Sequence, residues 1–230
     1  MTETLLDSAR LDGKELRVWA EPFAFLVAEG QLPSAAVAEL DRHLPRYHGA
    51  GFFPFDPADC GDSVRRLVAE LTAPAFANAI GARLGVPNLA GFPTLVTLCR
   101  SLNLRHGTIH TDSRSKVVTA LLYLNADWTG QGAGCLRLLS RIDDIDALLV
   151  PEIPPRYGNL VAFRRADNSF HGHLPFAGER RVIQVAWLTS EAEKQRKTRR
   201  GRLSRLVKRL LGFFDRRLGA GRGRNASHPD

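Results

Sequence analysis

The sequence predicts a mainly β chain with flanking helices, of the α+β class, and three observations carry this expectation. Runs rich in β-branched and aromatic residues alternate with period two at 15–20, 23–28, 98–103 and 181–187. Helical spacing marks 33–43, 64–71 and 74–83, all in the first half of the chain. The length of 230 residues and an apolar content of 44% suit one globular core.

Residues 1–14 are polar and read as a flexible N-terminus. Glu15–Ala20 alternates as a short strand, and Phe23–Ala28 is a second one stopped by Gly30. A helix starts at Pro33 or Ser34 and runs to about His43, with Val37, Leu40 and Leu44 spaced for one face. Phe52-Phe53-Pro54-Phe55 is an aromatic cluster in a loop-like stretch, a lid or, more simply, packing between helices and barrel. Asp62-Ser63 caps a helix over 64–71, and Pro74 to Arg83 is another, ended by Gly85. Residues 15–95 thus read as helical support, 96–189 as the β core, and 190–230 as a basic tail.

The chemistry concentrates between His110 and Trp187. His110-Thr111-Asp112 offers an imidazole and a carboxylate two residues apart, so both can converge on one metal from a strand end. His171, on a distant segment, can supply a third ligand; His173 competes with it, since both would face one side of a strand. Two imidazoles and one carboxylate on one face of a metal form the donor set of mononuclear non-haem iron oxygenases. In Arg181-Val-Ile-Gln-Val-Ala-Trp187, alternation sets Arg181 on the face of Trp187. A guanidinium pointing inward among apolar residues requires an anion, and a carboxylate fits its fork.

The segments between the ligands extend the pattern. Lys116-Val-Val-Thr-Ala-Leu-Leu-Tyr-Leu-Asn-Ala-Asp-Trp128 is followed by Gly132-Ala-Gly-Cys-Leu-Arg-Leu-Leu139. Gly158-Asn-Leu-Val-Ala-Phe163 and His171-Gly-His-Leu-Pro-Phe-Ala-Gly-Glu-Arg-Arg181 come next. In this order and spacing, residues 95–189 resemble the prolyl 4-hydroxylase-like branch of the Fe(II)/2-oxoglutarate dioxygenases. The resemblance implies a double-stranded β-helix core, of the jelly-roll or cupin kind. It implies iron on His110, Asp112 and His171, the last because Pro175-Phe176 follows it as the family pattern requires. It implies that Arg181, ten residues after His171, binds the distal carboxylate of 2-oxoglutarate; Arg180 is the competing choice, and would point outward if Arg181 points inward. Tyr123 matches a tyrosine that bonds the same carboxylate in some relatives, and Lys116 a basic residue near the pocket mouth. The implied reaction hydroxylates an unactivated C–H while 2-oxoglutarate is decarboxylated to succinate and CO2; L-ascorbate dependence comes with the same resemblance. The tyrosine usual before the metal motif is missing, and Cys135 replaces an acidic residue, which removes support for prolyl specificity.

Other polar residues at the pocket mouth are weaker candidates. Asn168 and Arg105 are the substrate-contact expectations. Asp143-Asp144-Ile145-Asp146 reads as an exposed loop before Pro151 rather than a second metal site. Cys60, Cys99 and Cys135 are widely spaced, fit no zinc pattern and suggest thiols in a reducing compartment.

Charge is local. Residues 190–230 hold 13 Lys/Arg against 4 Asp/Glu, a net of +9, whereas the other 189 residues sit at −1 of the total +8. Nucleic-acid binding through the core is therefore not expected. Within the tail, Leu203, Leu206, Val207, Leu210, Phe214 and Leu218 recur at helical spacing among arginines and lysines. Such a helix over 201–218 can lie on an anionic membrane, dock on the barrel or bind nucleic acid. No run of about 18 apolar residues occurs, and Glu3 and Asp7 precede any apolar stretch. A cytoplasmic protein, peripheral at the inner membrane face if the tail is an anchor, is the expectation. Its substrate would be a small molecule, a glycan or lipid precursor, or a peptide. Two competing readings are a nucleic-acid repair dioxygenase and a non-catalytic binding module on the same barrel.

Overall fold

A computed structural model describes residues 4–6, 11, 16–47, 49–129, 132–201 and 203. Nine strands and three helices are β1 (Leu16–Trp19), β2 (Phe25–Ala28), α1 (Val37–His43), β3 (Phe52–Pro54), α2 (Asp62–Leu71), α3 (Pro74–Arg83), β4 (Thr94–Leu102), β5 (Lys116–Tyr123), β6 (Arg137–Leu139), β7 (Leu160–Arg164), β8 (Phe170–Gly172) and β9 (Gly178–Leu188). A fourth helix, α4, occupies residues 191–201. The major sheet runs β1-β2-β7-β5-β9-β4-β3, all antiparallel, and β6 pairs β8 in a minor sheet. The two sheets face each other as a double-stranded β-helix.

The major sheet is buried on both sides, and the two sides do different work. Leu98, Val118, Ala120, Leu122, Ile183, Val185 and Trp187 pack with the helices. Cys99, Leu121, Tyr123, Val161, Phe163 and Val182 point into the barrel and meet Leu136 and Leu138 of the minor sheet. Register keeps these sets aligned: Tyr123 lies opposite Val182, which lies opposite Cys99. Central strands covered on both faces read as near-continuous apolar runs, so alternation alone does not say which face is which.

The helices form for local reasons. In α2, Val64, Leu67, Val68 and Leu71 are buried at i, i+3, i+4 and i+7. Its N-cap is Gly61 rather than Asp62, which lies in the first turn. Pro74 opens α3, where a missing N–H costs nothing, and Gly85 takes the left-handed backbone (φ +66) just past its end.

Three expectations are corrected. The strands expected at 15–20 and 23–28 form as β1 and β2, but with β3 they complete both edges of the major sheet instead of belonging to a helical support outside the β core. Phe52–Pro54 is an edge strand, not a loop, and Phe53 is buried against Tyr47 with ring centroids 4.4 Å apart. The N-terminus is not wholly loose: Leu5, Leu6 and Leu11 are buried in the helix-side core. The Leu5 and Leu6 N–H groups donate to the Glu70 carboxylate at 3.2 and 2.7 Å. Three leucines in a polar stretch provided an anchor that average polarity concealed.

Cys60, Cys99 and Cys135 are all buried free thiols. Among the described residues, no helix is long and apolar enough to cross a membrane. The expected tail helix over 201–218 lies outside the described residues except at Gly201 and Leu203.

Candidate metal centre

His110, Asp112 and His171 converge at one end of the barrel, with a ligand atom of each within 4.8 Å of the others. Backbone pairing builds this. His110 and His171 form an antiparallel bridge, each N–H donating to the other's carbonyl at 3.0 Å. Their rings lie 4.4 Å apart, and Phe163 packs on His171 at 4.5 Å.

Both imidazoles are held in the tautomer that a metal needs. Nδ1 of His110 donates to the Thr108 carbonyl, and Nδ1 of His171 to the Ser169 carbonyl, each at 2.9 Å. With Nδ1 protonated, the Nε2 lone pair is available. Burial, then the neighbouring His110, lowers the His171 pKa to about 4, so its ring is neutral at pH 7.

Asp112 is buried, and burial alone would raise its pKa. The Lys116 ammonium, His171 and hydrogen bonds from Lys116 and Thr119 outweigh that, holding the carboxyl well below the usual range. Lys116 Nζ donates to Oδ1 at 2.6 Å and Thr119 Oγ1 to Oδ2 at 2.5 Å. Each oxygen has a second lone pair, so the carboxylate can still ligate. Two imidazoles with Nδ1 engaged by a carbonyl and one ionised carboxylate fit a divalent iron on one face.

Further along β5, four residues from Thr119 on the same face, lies Tyr123. Arg180 reaches it: Nη2 donates to the phenol oxygen at 3.2 Å, and the guanidinium lies 5.1 Å from the ring centroid. Arg180 Nε donates to the Gly134 carbonyl at 2.7 Å. Trp128 and Phe176, 4.8 Å apart, both crowd Gly134. Arg180 is 3% exposed, and among the described residues no carboxylate pairs with it.

Arg181 does not face the barrel interior. Its guanidinium binds Asp41 at 3.0 Å and Glu179 on the helix side of the sheet, a cluster that also holds Arg100. Alternation does put Arg181 on the face of Trp187, but that face packs against the helices; the barrel face carries Arg180 and Val182.

The remaining candidates separate. Lys116 sits on Asp112, at the metal end rather than beside Arg180. Asn168 is exposed and its amide donates to the Pro22 carbonyl at 2.8 Å, so it is not aimed at the converging groups. Arg105 is exposed, its backbone N–H held by the Asn103 side chain. His173 is not a member of the triad; its Nδ1 donates to the Leu174 carbonyl at 2.8 Å. Asp143 and Asp146 bind Arg141 and Arg137 and form no metal cluster among the described residues. Thr119 was not anticipated, although period-two spacing from Tyr123 points to it. Nothing in the sequence signals the carbonyls of Thr108, Gly134 and Ser169.

Residues 99–189 match the family model of the 2OG-Fe(II) oxygenase superfamily. No curated protein sequence matches the chain. The fold is similar to that of a prolyl-4-hydroxylase from Pseudomonas putida, with 21% identity and a TM-score of 0.53 over 80% of this chain and 98% of that one. A prolyl hydroxylase from Trichoplax adhaerens, solved with a hypoxia inducible factor peptide fragment, gives 16% identity and 0.48 over 82% and 89%.

Proposed function

We propose that this chain, whose residues 99–189 match the 2OG-Fe(II) oxygenase superfamily model, is an Fe(II)- and 2-oxoglutarate-dependent hydroxylase of the prolyl 4-hydroxylase-like branch. The observation that carries the proposal is one barrel holding the His110–Asp112–His171 triad at one end and a buried, carboxylate-free arginine, Arg180, deeper inside.

His110, Asp112 and His171 would hold the iron. Bound there with 2-oxoglutarate, it supplies oxygen activation coupled to decarboxylation and hydroxylation of a C–H. The chain itself does the positioning. Thr119 and Lys116 orient the Asp112 carboxylate. Arg180 and Tyr123 clamp the far carboxylate of the cosubstrate, the role expected of Arg181. Bidentate arginine and a phenol hydroxyl match a carboxylate's geometry. Phe163, Leu121 and Val161 exclude water around the reacting centre.

Iron binding is tested by anaerobic titration of purified protein with Fe(II), then 2-oxoglutarate. A saturable visible charge-transfer band, lost in His110→Ala and weakened in Arg180→Ala, is expected. No band in folded protein would refute the proposal and favour a binding module.

A further inference from the structure

We infer that the substrate of this oxygenase carries an anionic group, a carboxylate or phosphate, bound by Lys197 of α4 together with Lys116 at the mouth of the metal site. The inference rests on the oxygenase reading and adds the substrate class to it.

Helix α4 follows the matched family segment, yet it is built into the site. Lys197 Nζ donates to Ser113 Oγ at 2.9 Å, one residue past the proposed ligand Asp112. Ser113 Oγ lies 3.0 Å from Ser115 Oγ, and the Thr189 N–H holds the Ser115 carbonyl at 2.9 Å. The segment 112–116 is thus clamped between β9, α4 and the metal ligands. Arg165 completes the rim, its Nε donating to the Asp112 carbonyl at 3.3 Å.

The charges at this rim are not evenly matched. Arg165 pairs with Asp167 at 2.6 Å, and Arg196 with Glu193 at 2.7 Å. Lys116 pairs with Asp112 at 2.6 Å. Lys197 has a hydroxyl partner and, among the described residues, no carboxylate within ion-pair distance. Glu193, the nearest acid on its own helix, is engaged by Arg196 and Ser115. Both lysines meet Ser113, Lys197 through its hydroxyl and the Lys116 N–H through its carbonyl, at 2.9 Å each. Half-burial, then Lys116 and Arg196, lower the Lys197 pKa against the opposing pull of Glu193 and Asp112. When Asp112 ligates a dication, Lys116 stays hydrogen-bonded to it, but the carboxylate's charge is then shared with the metal. With the Asp112 charge shared with a dication and Glu193 engaged by Arg196, the two ammoniums leave a net positive field for an arriving anion. A lysine that only covered the helix surface would extend to water instead.

The test uses full-length protein with Fe(II) and 2-oxoglutarate under anaerobic conditions, and metal-free protein beside it. Inorganic phosphate and acetate are titrated separately. Two readouts are followed: the charge-transfer band, and the rate of Lys197 acylation by mass spectrometry, with Lys194 as internal control. Saturable slowing of Lys197 acylation by either anion, with a perturbed band, is the expected result. Lys197→Gln should weaken the band response at least about tenfold, the loss of one charge-assisted hydrogen bond. Lys197→Arg should keep it, which a merely structural role would not predict. Phosphate protection without acetate protection assigns a phosphate-bearing substrate, and the reverse a carboxylate. An unchanged acylation rate with both anions while the band forms normally overturns the inference, as does a Lys197→Gln response equal to wild type. A missing band sinks the oxygenase reading separately, and the metal-free footprint still decides whether the lysine pair binds anions.

Discussion

Arg180 and Arg181 are neighbours in β9 that end on opposite sides of the major sheet. Arg180 lies 3.2 Å from the Tyr123 hydroxyl inside the barrel, and Arg181 3.0 Å from Asp41 among the helices. Arg180→Ala should therefore weaken 2-oxoglutarate binding roughly 100-fold, the scale of a bidentate charge-assisted contact in a dry site. Arg181→Ala should leave that affinity nearly unchanged and lower stability by breaking the Asp41–Glu179 cluster. Anaerobic titration of both variants measures this; equal losses would refute the assignment of the inward arginine.

Thr119 controls the orientation of Asp112 from outside the metal's own coordination. Thr119→Val removes the 2.5 Å bond to Oδ2 while keeping the side-chain shape. Metal affinity should fall about 10- to 100-fold, the usual cost of losing such an outer contact. Calorimetry with a divalent metal checks it, with Thr119→Ser as the variant that should retain affinity. Unchanged affinity in Thr119→Val would show that Lys116 alone fixes the carboxylate.

The metal triad was legible because its signal is local. His110 and Asp112 sit two apart, and β9 reads as an alternating β-branched run. The choice between Arg180 and Arg181 was not legible, because it depends on which face of a doubly covered strand meets the helices. That is a tertiary fact, fixed by Trp187 packing with the helix-side core. Sequence alternation related Arg181 to Trp187 correctly and could not say where Trp187 points. The backbone carbonyls that set both histidine tautomers leave no trace in residue identity. The Lys197 contact joins positions 84 apart in the chain, and no period or motif announces it.

Acid should destabilise the metal-free protein in a defined window. His171 and His173 have pKa values lowered to about 4, by burial first and then by His110 and Arg180 respectively. The unfolded reference is about 6.5. Between these values the unfolded chain binds protons that the native state refuses, so stability falls as pH drops from 6.5 to 4. The loss is at most roughly 3 kcal/mol per histidine. Asp112, whose carboxyl is held well below its usual 3.8, adds stability that is lost only at still lower pH. Urea unfolding at pH 7.5 and 4.5 tests the sign, and His173→Gln should reduce the slope by about one proton. Equal midpoints at the two pH values would contradict the buried neutral state of both rings.

Gly134 links backbone conformation to the anion pocket, and a single methyl should show it. Its φ is +74, and an added Cβ would stand 3.0 Å from both Phe176 Cγ and Trp128 Cζ2. Its carbonyl accepts Arg180 Nε at 2.7 Å, and its N–H donates to the Leu174 carbonyl at 3.2 Å. Gly134→Ala therefore combines left-handed strain, about 1 kcal/mol or more, with crowding of two aromatic rings. A total of about 2–3 kcal/mol corresponds to a Tm lower by roughly 5–10 °C for a chain of this size. Shifting the carbonyl frees Arg180 from its anchor, so 2-oxoglutarate affinity should also fall several-fold. Gly132→Ala is the matched control. Its φ is +73, but its Cβ would meet Glu152 and Arg137 at 3.5 to 3.7 Å, ordinary contact distances. That variant should lose about 1 kcal/mol to strain and bind 2-oxoglutarate normally. Thermal unfolding and anaerobic titration of the two variants separate backbone strain from the pocket effect. If Gly134→Ala loses stability but binds 2-oxoglutarate as tightly as Gly132→Ala, the Gly134 carbonyl does not position Arg180.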